Sequence, residues 1–160
     1  TIVNASISGD TTANALNRLP QALTRHQPAI VVLELGGNDG LRGLSLAEMK
    51  RNLAAMIQTA RQHEAEVLLI GVQLPPNYGP RYTQQFHAIY HELAQEYGLA
   101  LVASLVDGVG TRTELMQADG IHPNSKAQPV IVTRVWQQLR ALIDGMDSYT
   151  PAPVDPAAGS

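Results

Sequence analysis

Nearly unbroken apolar stretches alternate along this chain with stretches in which apolar residues recur every three or four positions, the pattern of strands alternating with amphipathic helices. Ala29-Ile30-Val31-Val32-Leu33-Glu34-Leu35 has strand length and almost no polar residue, which predicts a central strand covered on both faces. Val67 to Val72 and Leu99 to Ala103 read as further buried strands, and Ile2 to Ile7 as a short first strand, four in all. Leu16, Leu19 and Leu23 open the first helical pattern, with Asp10, Thr11 or Thr12 as its N-cap. Pro20 interrupts that pattern and predicts a kink or two short helices before Pro28. A second helix starts at the capping box Ser45-Leu46-Ala47-Glu48 and carries Leu46, Met49, Leu53, Met56, Ile57 and Ala60 on one face. A third presents Tyr82, Phe86, Ile89, Tyr90, Leu93 and Tyr97 on one side and ends near Gly98. In the last, Ile131, Val132, Val135, Trp136, Leu139, Leu142 and Ile143 form the expected buried stripe. Strands alternating with helices give an α/β domain with a parallel sheet and helices on both faces. The domain is expected over residues 1–145, followed by a flexible proline-rich tail over 146–160.

The 160 residues suffice for one hydrophobic core. The chain has no cysteine, so disulfides, thiol catalysis and thiolate metal sites are excluded. A net charge of -3 with scattered Lys and Arg argues against a nucleic-acid surface, and no apolar run reaches the length of a membrane span.

In a parallel sheet of this kind, ligands bind outside the carboxyl ends of the strands. The unusual loops all fall there. Ser8-Gly9-Asp10-Thr11 leaves the first predicted strand, Gly36-Gly37-Asn38-Asp39-Gly40 the second, and Leu74-Pro75-Pro76-Asn77-Tyr78-Gly79-Pro80 the third. Before the last helix, Asp119-Gly120-Ile121-His122-Pro123-Asn124 sets a carboxylate three residues ahead of a histidine that proline keeps out of helical backbone. A carboxylate on one imidazole nitrogen leaves the other free to act as a general base. Gly9 can turn a backbone N–H outward, and Asn38 offers a side-chain NH2, two donors suited to a developing oxyanion. His87 and His91 are four apart on a helix, but Ala88 stands where a zinc hydrolase has its glutamate, and no third ligand is near.

The three blocks Ser8-Gly9-Asp10-Thr11, Gly36-Gly37-Asn38-Asp39 and Asp119-Gly120-Ile121-His122-Pro123-Asn124, in this order, resemble conserved blocks of the SGNH, or GDSL-type, hydrolases. The likeness is to the bacterial arylesterase and periplasmic thioesterase/lysophospholipase branch and runs from about Thr1 to Ile143. It implies a flavodoxin-like three-layer α/β/α sandwich and a serine hydrolase of small ester or thioester substrates, without metal or organic cofactor. His122 would be the base, Asp119 its orienting partner, and Gly9 and Asn38 the oxyanion donors. Asp39, Leu74, Pro75 and Tyr78 would contact substrate. A periplasmic or secreted location is implied by the same likeness.

The first block of that family, a Gly-Asp-Ser-Leu sequence carrying the nucleophile, does not occur in this chain, nor does Gly-x-Ser-x-Gly. In the family its strand lies between those corresponding to residues 2–7 and 29–35. Strands lie about 4.8 Å apart, so its omission leaves a slot of about 10 Å and two unpaired edges. The expectation is an N-terminally truncated hydrolase without its first central strand, its nucleophile outside the sequence; Ser8 is the one local alternative. A different class of function, a non-catalytic assembly partner pairing with another copy through exposed strand edges, follows from the same gap.

Overall fold

The computed structural model describes residues 1–147, so most of the expected tail lies outside the described residues. The elements are α1 (Thr12–His26), β1 (Ile30–Glu34), α2 (Gly37–Leu41), α3 (Leu46–Gln62), β2 (Glu66–Ile70), α4 (Pro80–Tyr97), β3 (Ala100–Val102) and α5 (Gln128–Asp147). Helix α5 thus runs two residues past the boundary expected at 145.

Among the described residues the sheet has three parallel strands in the order β1-β2-β3, with Val32 opposite Leu68 and Leu68 opposite Ala100, so β1, expected at the centre and covered on both faces, is an edge strand whose Val32 is 47% exposed. Residues alternate between its faces. Val31, Leu33, Val67 and Leu69 pack with α1, α3 and α4 in the main core, where Met49, Leu53, Met56 and Ile57 are buried. Full burial of one such side chain stabilises by about 1.5–3 kcal/mol. Leu68, Ile70 and Val102 face the other way, onto Val135, Leu139 and Leu142 of α5. The molecule is therefore the α/β sandwich expected, with one face covered by several helices and the other by α5.

Several expectations are corrected. Ile2 to Ile7 is not a strand, and among the described residues the sheet has three strands instead of four. Strand propensity is realised only against a neighbouring ladder. Here Ala5 O accepts from Arg18 Nη1 (2.7 Å), tying the segment to α1, and Ile2 is 96% exposed. Pro20 neither splits nor ends α1, which is one helix of 15 residues. Ala15, Leu16 and Leu19, ahead of the proline, join the main core, and Leu23 beyond it is buried, so packing on both sides offsets the lost backbone bond. Val132 and Trp136 do not belong to the buried stripe of α5: they are 60% and 51% exposed. They lie one residue, about 100° of rotation, past the inward-facing Ile131 and Val135.

The caps follow the sequence more closely. Thr11 is the N-cap of α1, its hydroxyl accepting from Asn14 N–H at 3.4 Å, and Ser45 caps α3 through Glu48 N–H. Gly98 closes α4 in left-handed backbone. No helix among the described residues is long and apolar enough to cross a membrane.

Candidate active site

The turn before α5 is built from its own side chains. One oxygen of Asp119, Oδ1, accepts the backbone N–H groups of Ile121 (2.9 Å) and His122 (3.0 Å). The other, Oδ2, lies 2.8 Å from His122 Nδ1. A proton on Nδ1 fixes the tautomer in which Nε2 carries a lone pair, and Nε2 has no hydrogen bond among the described residues. A short antiparallel bridge between Met116 and Pro123 carries the turn, with Gln117 N–H donating to His122 O (2.7 Å). Asn124 Nδ2 ties it further to Glu114 O and Met116 O.

The His122 N–H, then the ring, then the Ile121 N–H hold the Asp119 carboxyl down at about 2. Because the folded value is depressed, the turn keeps its full stabilisation above the ordinary carboxylate value and loses it as pH falls toward 2. A carbon-detected NMR titration is expected to place the Asp119 midpoint near 2, and His122→Ala to return it toward the ordinary value. An ordinary midpoint in the unsubstituted chain would mean that the turn does not form in solution.

The two donor loops are joined to one another over longer stretches of sequence. Asn38, on α2, donates from Nδ2 to Asp10 O (3.0 Å), which leaves its second N–H unused. Gly9 has φ +80°, which glycine adopts without strain, and its carbonyl accepts from Arg42 Nη2 at 3.1 Å. The Gly9 N–H makes no hydrogen bond among the described residues. Beneath both loops, Asp39 accepts from Thr12 N–H (2.9 Å) and Thr12 Oγ1 (2.6 Å), and Asn52 Nδ2 donates to the same hydroxyl at 3.1 Å.

A cavity of about 420 Å³ brings Ser8, Gly9, Asn38, Leu74, Pro75 and His122 together at the carboxyl ends of the strands. Asp39 and Tyr78, both expected to contact substrate, are absent from its lining. Asp39 is only 3% exposed and committed to Thr12. Tyr78 stacks on Tyr82 with ring centroids 6.3 Å apart and donates to Leu41 O, which anchors the proline-rich loop to α2. His87 Nε2 lies 3.1 Å from Ala103 O, and no group of three metal-binding side chains occurs among the described residues.

Sequence reasoning missed two residues of the site. Glu34 was absorbed into an apolar run, yet it lines the cavity, and although the residue is exposed, packing around its carboxyl raises the pKa by desolvation. A single charge in an otherwise apolar strand was the available signal. Arg42, the anchor of Gly9, left none, because the contact spans 33 positions.

A profile of the GDSL-like lipase/acylhydrolase family matches residues 1–129. The chain is 54% identical over 142 residues to Esterase TesA of Pseudomonas aeruginosa, covering 89% of this chain and 71% of that protein. It is 46% identical over 143 residues to an Escherichia coli protein named as thioesterase, protease and lysophospholipase, covering 89% and 69%. The crystal structure of the psychrotrophic esterase EstA from Pseudoalteromonas sp., described as inhibited by monoethylphosphonate, superposes with a TM-score of 0.83 at 36% identity. That superposition covers 89% of this chain and 78% of the EstA chain.

Proposed function

Because this chain belongs to the GDSL-like lipase/acylhydrolase family, we propose that it carries the base, the orienting carboxylate and the oxyanion donors of a serine ester hydrolase acting on short or aryl acyl esters and thioesters. The observation that carries the reading is the 2.8 Å contact between His122 Nδ1 and Asp119 Oδ2 in a turn whose histidine lines the same cavity as Gly9 and Asn38. A serine hydroxyl attacks the ester carbonyl while His122 Nε2 takes its proton. The imidazolium, held by Asp119, returns that proton to the departing alkoxide or thiolate. The unused N–H of Asn38 and the Gly9 N–H are the donors offered to the oxyanion. Water then releases the acyl group by the same proton path in reverse.

The serine in this reading comes from a segment other than these 160 residues, since neither family nucleophile motif occurs in them. Ser8 is the candidate within the chain, and it does line the cavity. The same reading places the enzyme in the periplasm or outside the cell. The other reading, a non-catalytic assembly partner, draws on the unpaired edge of β1.

Two measurements test this. With p-nitrophenyl butyrate the chain alone is expected to release no more p-nitrophenol than its His122→Ala variant, and a fluorophosphonate to label no serine; labelling of Ser8 would move the nucleophile there. A methyl ketone analogue of a short-chain ester is expected to shift the NMR signals of the Gly9 N–H, the Asn38 NH2 and the His122 ring. Saturating analogue with those signals unmoved would sink the hydrolase reading.

A further inference from the structure

We propose that the hydroxyls of Tyr82 and Tyr90 are positioning groups for the side-chain amide of Asn38, a role that rests on the hydrolase reading and adds two residues to it. Neither tyrosine lines the cavity that holds His122. They act through the main chain on both sides of Asn38.

Helix α2 has five residues, too few to be stable by its own backbone bonds, and no side chain caps its N-terminus at Gly36. What fixes the direction of Asn38 therefore lies outside the helix. Tyr90 Oη donates to Leu35 O (2.7 Å), three positions before Asn38, and Tyr82 Oη donates to Gly40 O (3.2 Å), two positions after it. Both tyrosines belong to α4, so a single long helix grips the segment on either side of the amide. A methyl group on Gly36 would lie 2.5 Å from Tyr90 Oη, and one on Gly40 would lie 2.7 Å from Phe86 Cε2, so the segment sits flush on α4.

Tyr90 is fully buried, its ring set edge to face against Phe86 with centroids 5.6 Å apart. Burial, and then the carboxylates of Asp39 and Glu34, raise its phenol above the ordinary value, so the hydroxyl keeps the proton it donates. Asp39 ties the same helix to Thr12, and Asn38 spends one N–H on Asp10 O. The other N–H points at an oxyanion only while these anchors agree. A hydrogen bond weakens steeply once its angle falls below about 120°, so a tilt of α2 too small to unfold the chain still loses the bond to a developing charge.

The probe is butylphosphonate, a tetrahedral anion, titrated by NMR into variants that urea unfolding shows to be fully folded in buffer. The unsubstituted chain is expected to bind it saturably, with shifts of the Asn38 NH2 signals. Tyr90→Phe keeps the ring and loses the hydroxyl, and is expected to bind about tenfold more weakly, Tyr82→Phe about threefold. Replacement of Tyr90 by 4-aminophenylalanine keeps a donor at the ring tip and should recover most of the loss. Tyr97→Phe is the control: its hydroxyl accepts from Gln58 Nε2, elsewhere on α4, and its removal should leave the affinity unchanged. A tyrosine that only stabilised the chain would lower the urea midpoint and leave the affinity of the folded form as it was. Equal affinity of Tyr90→Phe and the unsubstituted chain would overturn the proposal and leave the hydrolase reading standing, as would a loss of the same size in Tyr97→Phe. Should Tyr90→Phe not fold, equal affinity of Tyr82→Phe decides the matter in the same way. Asn38 signals of the unsubstituted chain that never respond to butylphosphonate would remove the hydrolase reading and the proposal with it.

Discussion

Asp39→Ala is expected to lower the stability of the chain by about 2–4 kcal/mol, because it strands two buried donors. The lost carboxylate is 3% exposed and accepts both the N–H and the hydroxyl of Thr12, itself fully buried. It also supplies the negative group at the first turn of α1, a helix with no acidic residue of its own there. The effect reaches the candidate site, since this bond joins the loop bearing Gly9 to the helix bearing Asn38. Urea unfolding measures the first part. The second is read in the exchange rate of the Gly9 amide and the dispersion of the Asn38 NH2 signals, both expected to report a loosened loop. Asp39→Asn keeps one acceptor oxygen and is expected to recover part of the loss. A variant within about 0.5 kcal/mol of the original chain would show that the Thr12 contact is not maintained in solution.

Gly71→Ala is expected to cost about 3 kcal/mol, or some 6–12 °C in melting temperature. A methyl group on Gly71 would sit 2.3 Å from Ala103 O and 3.1 Å from Ala103 C. Those are backbone atoms, and the Gly71 N–H donates to Val102 O at 2.8 Å, so the two segments cannot part without breaking the end of the β2-β3 ladder. Gly37→Ala is the comparison: its methyl would meet only Val72 Cγ1 at an ordinary 3.4 Å. That variant is expected to stay within about 1 kcal/mol, and thermal melts of the two side by side check the difference.

The legible parts of the fold were those whose causes are local in sequence. β2 stands out as an apolar run because a strand buried on both faces has few positions for polar residues, and β1 and β3 carry the same apolar preference although they lie at the edges of the sheet, where Val32 of β1 is 47% exposed. Ser45 and Gly98 mark helix ends by bonds made within a few residues. Ile2 to Ile7 has the same local preference but no strand beside it, and composition does not record which neighbours exist. Trp136 shows the same limit on a helix: its periodicity fits a core, while the surface that would cover it is absent among the described residues.

The site divides in the same way. Asp119 and His122 were legible as a pair because every bond between them spans three residues. Asp39 follows Asn38 in the sequence, but its partner Thr12 is 27 positions away and draws its carboxylate inward, a contact that no local pattern records. The Tyr78 hydroxyl is held by a contact of similar reach, its bond to Leu41 O spanning 37 positions.

This division between short and long connections sets the order in which heat or denaturant dismantles the cavity. The bridge of Met116 with Pro123 and the bonds of Asn124 keep residues 114–124 together without help from the sheet. The placement of Gly9 and Asn38, by contrast, depends on Asn38 reaching Asp10 and on Asp39 reaching Thr12. A partly melted chain would therefore keep the Asp119–His122 pair after losing the contacts that hold Gly9 and Asn38 in place.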